Sequence, residues 1–184
     1  MLYSKTKRCG RAAGWDSTAD GVLDVAAIDG VYVYSSLSHD GGGNFDKFDF
    51  SDIPLNSIIN SIKVKVYADG PNDCQIDKLA LTYDGIAVIQ DITSNLDLGF
   101  GFTFYEMTYD QATPSYRDVV NNPNFGIMMT ATNNGSGSIF KTLKVDYIEI
   151  TITYTVMTDG IADGLVFTGM FNSPILTTEN YPRC

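Results

Sequence analysis

The sequence has one histidine, one tryptophan and three cysteines in 184 residues. A single histidine (His39) leaves little for an imidazole relay, and no Gly-x-Ser-x-Gly elbow is present. Cys9, Cys74 and Cys184 are far apart and odd in number. That excludes the disulfide framework of small secreted domains and any close pair with metal-ligand spacing. Reduced thiols are expected, with Cys74 beside a strand as a small core residue. Charged residues make up only 18%, and no apolar run approaches the ~18 residues that cross a bilayer as a helix. No apolar stretch follows the basic N-terminus, so neither a secretory signal nor a membrane partner is expected.

What is present belongs to a folded, turn-rich chain. Hydrophobic residues reach 44% and aromatics 12%, with eleven Tyr, ten Phe and seventeen Gly. The length fits one domain. Charge is unevenly placed. Lys5, Lys7, Arg8 and Arg11 stand in the first eleven residues without an acid among them; the other 173 residues hold eight bases against twenty-two acids, a net of −14. So acidic a body repels phosphate backbones, and nucleic acid is not an expected partner. The basic segment 1–12 reads as an N-terminal arm suited to an anionic surface.

Period-two alternation dominates between residues 13 and 156. Ile148, Ile150, Ile152 and Tyr154 share one face of a strand, and Glu149, Thr151, Thr153 and Thr155 share the other. Ile62, Val64 and Val66 alternate with Lys63, Lys65 and Tyr67, and Phe100, Phe102 and Phe104 with Gly101, Thr103 and Tyr105. Further strands are expected over 22–28, 31–37, 45–50, 76–82, 86–92 and 125–132. Asp29-Gly30, Asp69-Gly70, Asp84-Gly85 and Asn134-Gly135 supply turns between them. One short helix is expected, capped by Thr113, opened by Pro114 and ended by Asn122. Short strands at this spacing predict an all-β, antiparallel β-sandwich, a jelly roll of eight or nine strands, flanked by extended N- and C-terminal arms. An immunoglobulin-type sandwich competes, but the Cys–Trp–Cys spacing is absent.

The alternation stops after Val156. Residues 157–184 combine two Asp-Gly steps with Leu165, Val166, Phe167, Met170, Phe171, Ile175 and Leu176. This segment is too apolar for a solvated linker and too broken for a helix. It reads as an arm that buries its apolar groups against another surface.

Candidates for chemistry are few. Most acids sit at turns; Glu106 and Glu149 on strands are the least turn-like pair, and a solvated face explains them. Gly41-Gly42-Gly43 leads into a strand pattern instead of a helix, so it reads as a hairpin tip and not a phosphate cradle. Asp16, Asp20 and Asp24, like Asp69, Asp73 and Asp77, recur at every fourth residue and are the candidates for a bound calcium, which hard oxygen ligands would hold. No other cofactor is expected. Tyr32, Tyr34, Tyr105, Tyr109 and Tyr116 are candidates for stacking on sugars.

Several segments together have a familiar outline: Ala13-Gly14-Trp15-Asp16, then Ile53-Pro54 feeding the strand from Ile58 to Val66, then Asn124-Phe125-Gly126-Ile127 and the closing strand Val145 to Thr155. Over residues 13–155 the chain resembles a group of β-sandwich proteins found among bacteriophage structural genes. The resemblance implies a non-enzymatic virion component and supplies no catalytic residues. With the two arms it points to a capsid cement or decoration protein, a trimer or dimer that clamps major capsid or other virion proteins. The alternatives are a tail, neck or fibre-attachment protein, or a carbohydrate- or receptor-binding sandwich module.

Overall fold

Two long amphipathic strands set the architecture, each keeping its apolar face inward for more than ten residues. In the computed structural model, residues 1–14, 16–17, 26–37, 40–72, 74–83, 88–91, 96–110, 116–134 and 141–157 are described. The strands are β1 (Leu2–Arg8), β2 (Arg11–Ala13), β3 (Asp16–Ser17), β4 (Val33–Leu37), β5 (Asp40–Asp46), β6 (Ser57–Asp69), β7 (Cys74–Thr82), β8 (Val88–Asp91), β9 (Leu96–Asp97), β10 (Thr103–Tyr109), β11 (Gly126–Asn133) and β12 (Lys141–Val156). One helix, α1 (Tyr116–Val120), lies within the expected window and ends before Pro123; its expected cap and Pro114 lie outside the described residues.

The first sheet has the order β10-β6-β12-β4-β3, and the second β2-β5-β11-β7-β8. β1 pairs with β12, β9 pairs with β7, and every pairing is antiparallel. From β4 onward the chain passes repeatedly between the layers. The inner orders β4-β12-β6-β10 and β5-β11-β7-β8 are those of an eight-stranded jelly roll. β1, β2, β3 and β9 are additions to it.

The core lies between the sheets. Ile62, Val64, Val66, Ile148, Ile150 and Ile152 face Phe45, Leu79, Leu81, Ile127 and Met129, all fully buried. Each such side chain contributes about 1.5–3 kcal/mol relative to exposure. Two irregularities keep the alternation in phase. Val145 and Ile148 both point inward although three residues apart, because the β6 pairing skips Asp146. The same pairing skips Asn60, so that Ile59 and Ile62 share the inner face. Both are bulges, one extra residue against one partner.

Four expectations need correction. Residues 1–12 are not an arm: β1 is bonded to β12 from Leu2↔Thr155 to Arg8↔Glu149, and β2 belongs to the second sheet. The chain crosses between the layers at Cys9-Gly10, where Cys9 N donates to Ile148 O (3.4 Å) and Gly10 N to Asp46 O (3.0 Å). β1 and β2 are therefore part of the two sheets, and the sandwich includes residues ahead of 13. Gly41-Gly42-Gly43 is no hairpin tip; it lies inside β5, opposite Ala131, Thr130 and Met129. There a Cβ on Gly42 would fall 2.1 Å from the Met129 carbonyl oxygen, so only glycine fits. The strand expected over 45–50 ends at Asp46, because Lys47 (φ 60°) and Asp49 (φ 46°) turn left-handed and still bury Phe48 and Phe50. The strand expected from Phe100 begins at Thr103. Most of the strand expected over 22–28 and the Asp84-Gly85 turn lie outside the described residues, as does the C-terminal arm beyond Met157.

Candidate functional site

The solvent face of the first sheet is ordered in rungs, set by antiparallel register. Phe104, Tyr67 and Tyr147 stand opposite one another on β10, β6 and β12. The next rung is Glu106–Lys65–Glu149–Arg8, and the one beyond it Thr108–Lys63–Thr151–Thr6. On the other side of the aromatic rung lies Asp69–Lys144–Tyr34. Rungs are spaced about 7 Å along the strands, two residues of rise. Between them Val64, Val66, Met107 and Ile150 point inward and are buried, which fixes the rung residues outward.

Aromatic side chains gather at one end of this face. Tyr67 lies 4.6 Å from Phe104 and 5.2 Å from Phe102, centroid to centroid, the latter pair stacked. Phe102 lies 5.9 Å from Tyr32, which meets Tyr34 edge-on at 6.5 Å. Phe104 is 43% exposed and Phe100, just before the group in the chain, 75%. Tyr67, Phe102, Tyr32 and Tyr34 are half-buried, whereas Tyr147 is buried and closes the inner end of its rung.

Cations sit over these rings. Lys65 Nζ is 4.2 Å from the Phe104 centroid, Lys144 Nζ 5.2 Å from that of Tyr32, and the Arg8 guanidinium 5.6 Å from that of Tyr147. The same lysines meet acids: Lys63 and Lys65 reach Glu106 at 3.0 and 3.7 Å, and Lys144 reaches Asp69 at 3.4 Å. Asp69 also accepts from Gly101 N at 2.9 Å, which ties the Phe100–Phe102 turn to β6. The hydrogen bond from Lys63 and the nearby ammonium charges hold the Glu106 carboxyl below its usual range. A glycosidic general acid needs the opposite shift. Burial, with the Glu149 carboxylate it donates to, pushes the Tyr147 phenol up.

Of the tyrosines expected to stack on sugars, Tyr32 and Tyr34 belong to this group. Tyr109 is buried in the core, Tyr105 packs against the core and accepts from Gly99 N at 3.2 Å, and the Tyr116 side chain lies outside the described residues. Tyr67, Phe102, Phe104 and Tyr147 were not singled out. Their signal was the placement of large aromatic groups where neighbouring positions of the same strands carry Lys, Glu or Thr.

The four basic residues expected to meet a partner are engaged within the domain. Lys5 and Lys7 pair with Asp52, Lys7 at 3.5 Å, and their ammonium groups hold the Asp52 carboxyl down. Arg8 covers Tyr147. Arg11 grips the buried Asp46 through Nε, 2.8 Å from Oδ1, and through a second guanidinium nitrogen. Leu165, Val166, Phe167, Met170, Phe171, Ile175 and Leu176 lie outside the described residues. So do Asp20, Asp24, Asp73 and the side chain of Asp16. The two remaining calcium candidates are in different sheets: Asp69 in the first, and Asp77 in the second, bonded to Gln75 and Thr132. Among the described residues no three His, Cys, Asp or Glu side chains cluster as metal ligands. Cys9 and Cys74 are both buried, and burial pushes the Cys9 thiol up to about 12.

No family model and no curated protein matches the sequence. Among solved structures, the chain is similar to TmCBM61 in complex with β-1,4-galactotriose at 9% identity and TM-score 0.43, covering 80% of this chain and 86% of that one. It is similar to the CBM22-1 xylan-binding domain of Paenibacillus barcinonensis Xyn10C at 10% identity and TM-score 0.41, covering 86% and 94%. A third is the enzymatically active domain of bacteriophage CBA120 tailspike protein 4, at 12% identity and TM-score 0.41, covering 81% of this chain and 19% of that one. At such identities and scores the likeness assigns neither ligand nor site.

Proposed function

We propose that the protein is a non-catalytic carbohydrate-binding module whose ligand lies on the solvent face of the first sheet. The observation that carries this reading is the contiguous group Tyr32, Tyr34, Tyr67, Phe102 and Phe104, drawn from three strands and the segments leading into β4 and β10 onto an outer surface. Cross-strand aromatic pairing stabilises a sheet by itself and accounts for Tyr67 beside Phe104. It does not account for Phe100, two residues ahead of Phe102 in the chain and left three-quarters exposed. Aromatic faces carry negative π density that attracts the C–H face of a pyranose, and the ring adds large apolar area at little entropic cost. The Thr, Glu and Lys rungs alongside provide donors and acceptors for sugar hydroxyls.

A glycan array, followed by calorimetry on the best ligand, tests the reading. Tyr67→Ala and Phe104→Ala should each weaken binding about tenfold, or ~1.4 kcal/mol per ring. Leu55→Ala, an exposed change in the turn that precedes β6, at the end of that strand away from Tyr67, should leave affinity as it was. An array on which nothing binds, or ring variants that keep both the wild-type circular dichroism and the wild-type affinity, refutes the proposal.

A further inference from the structure

The charges on the platform narrow the ligand class, on the assumption that the carbohydrate reading holds. The chain as a whole carries −10, yet on this face Lys63, Lys65, Lys144 and Arg8 stand against three acids on the same rungs, Glu106, Glu149 and Asp69. Three of these four cations lie over aromatic rings: Lys65 on Phe104, Lys144 on Tyr32 and Arg8 on Tyr147. A sugar that takes the ring face of Phe104 or Tyr32 displaces the ammonium group now lying over it, which moves that charge to the edge of the sugar ring.

We infer that the preferred ligand is an anionic polysaccharide, a chain of uronate residues, whose carboxylates take over Lys65 and Lys144 while the sugar faces rest on the rings. The present partners of these two lysines are loosely held. Lys65 is 3.7 Å from Glu106 and Lys144 is 3.4 Å from Asp69, both beyond the 2.7–2.9 Å of a well-formed ammonium–carboxylate hydrogen bond. Glu106 is half-exposed and already has Lys63 at 3.0 Å, so releasing Lys65 does not strand its charge. A neutral glycan makes no use of the lysines beyond a hydroxyl contact, whereas a uronate chain meets one on each side of the aromatic rung. The acids elsewhere on the body do not cancel the attraction, because charges more than ~8 Å away are largely screened at physiological salt.

The test is calorimetric titration of the full chain with hexamers of α-1,4-galacturonate and of β-1,4-mannuronate, each beside its carboxyl-reduced counterpart, at low and at high salt. At low salt at least one uronate should bind about tenfold more tightly than its reduced form, and the advantage should shrink as salt rises. Lys65→Met should remove most of that advantage. Glu106→Gln, which frees both lysines from their acid, should raise uronate affinity roughly threefold. Equal affinity for acidic and reduced hexamers, or an advantage insensitive to salt and to Lys65→Met, overturns the inference and leaves the carbohydrate reading standing. Failure of all four hexamers while neutral glycans bind on the array does the same. Failure of every glycan overturns both.

Discussion

Arg11→Ala is the most informative perturbation of the fold, because among the described residues it removes the one cation paired with a carboxylate that water barely reaches. Asp46 is 1% exposed and receives Arg11 through Nε at 2.8 and 3.1 Å and through a second guanidinium nitrogen. Removing one partner of a buried pair costs about 3–5 kcal/mol, most of it from the charge left behind. Arg11 itself is 44% exposed, so water enters where its side chain stood and relieves part of the loss. The expected cost is therefore about 2–4 kcal/mol, which with an m-value near 2 kcal/mol/M moves the urea midpoint down by about 1–2 M. The decisive comparison is a double-mutant cycle with Asp46→Asn. With no carboxylate to compensate, the Arg11→Ala loss in that background should fall below about 1 kcal/mol. A loss under 1 kcal/mol in the wild type, or the same loss in both backgrounds, refutes the reasoning and with it the view that residues 9–13 are part of the domain's frame.

Two further outcomes follow from the backbone and from the buried acid. Gly42→Ala drives a Cβ into the Met129 carbonyl in the middle of the second sheet and should cost more than about 3 kcal/mol or abolish soluble expression, whereas Gly30→Ala, with φ 82° and nothing within 4 Å, should cost only ~1–2 kcal/mol; thermal melts separate the two. Asp146 is 2% exposed; its Oδ2 accepts from Gly30 N at 3.4 Å and its Oδ1 has no hydrogen-bond partner among the described residues; burial, outweighing the backbone hydrogen bonds from Gly30 and Asp29, pushes its carboxyl above the ordinary range. Its folded-state proton affinity then exceeds the unfolded one, so the associated stability is full below the unfolded value near 4 and is lost as pH rises through the folded value. Asp146→Asn should accordingly gain about 1 kcal/mol over wild type at pH 7 and little or nothing at pH 4, by urea titration at each pH; an equal difference at both would show that ionisation is not the cause.

The jelly roll was legible because its evidence is local. The run from Val145 to Val156 carries its inner and outer faces in alternate letters, and the Asp-Gly steps mark where such runs end. What was not legible depends on pairings between distant parts of the chain. Lys5, Lys7 and Arg8 look like a solvated arm when read in order, because nothing nearby shows that β12 receives them or that Asp52 and Tyr147 take their charge. The glycine triplet looks like a tip, because its need for small residues is set by the β11 backbone some ninety positions away (Gly42↔Thr130). The aromatic platform was half visible: Tyr32 and Tyr34 share a face of one segment, but their company with Phe102, Tyr67 and Phe104 arises only from register. The Asp146 bulge adds to this, since it shifts Tyr147 to the face opposite the one that strict alternation from Val145 assigns.

The pairing of β1 with β12 also bears on biosynthesis. The two are separated by roughly 140 residues, a span that takes about 7–28 s to translate at typical rates of 5–20 residues per second. Through that interval the ribosome has delivered β1 but not the strand it needs, so its backbone edge is unpaired and the Cys9 thiol, buried in the folded protein, stays uncovered in the nascent chain. Closing so long a loop is slow as well. Lysines spaced along β1 then act as a guard, since a strand that carries like charges pairs poorly with copies of itself on neighbouring ribosomes.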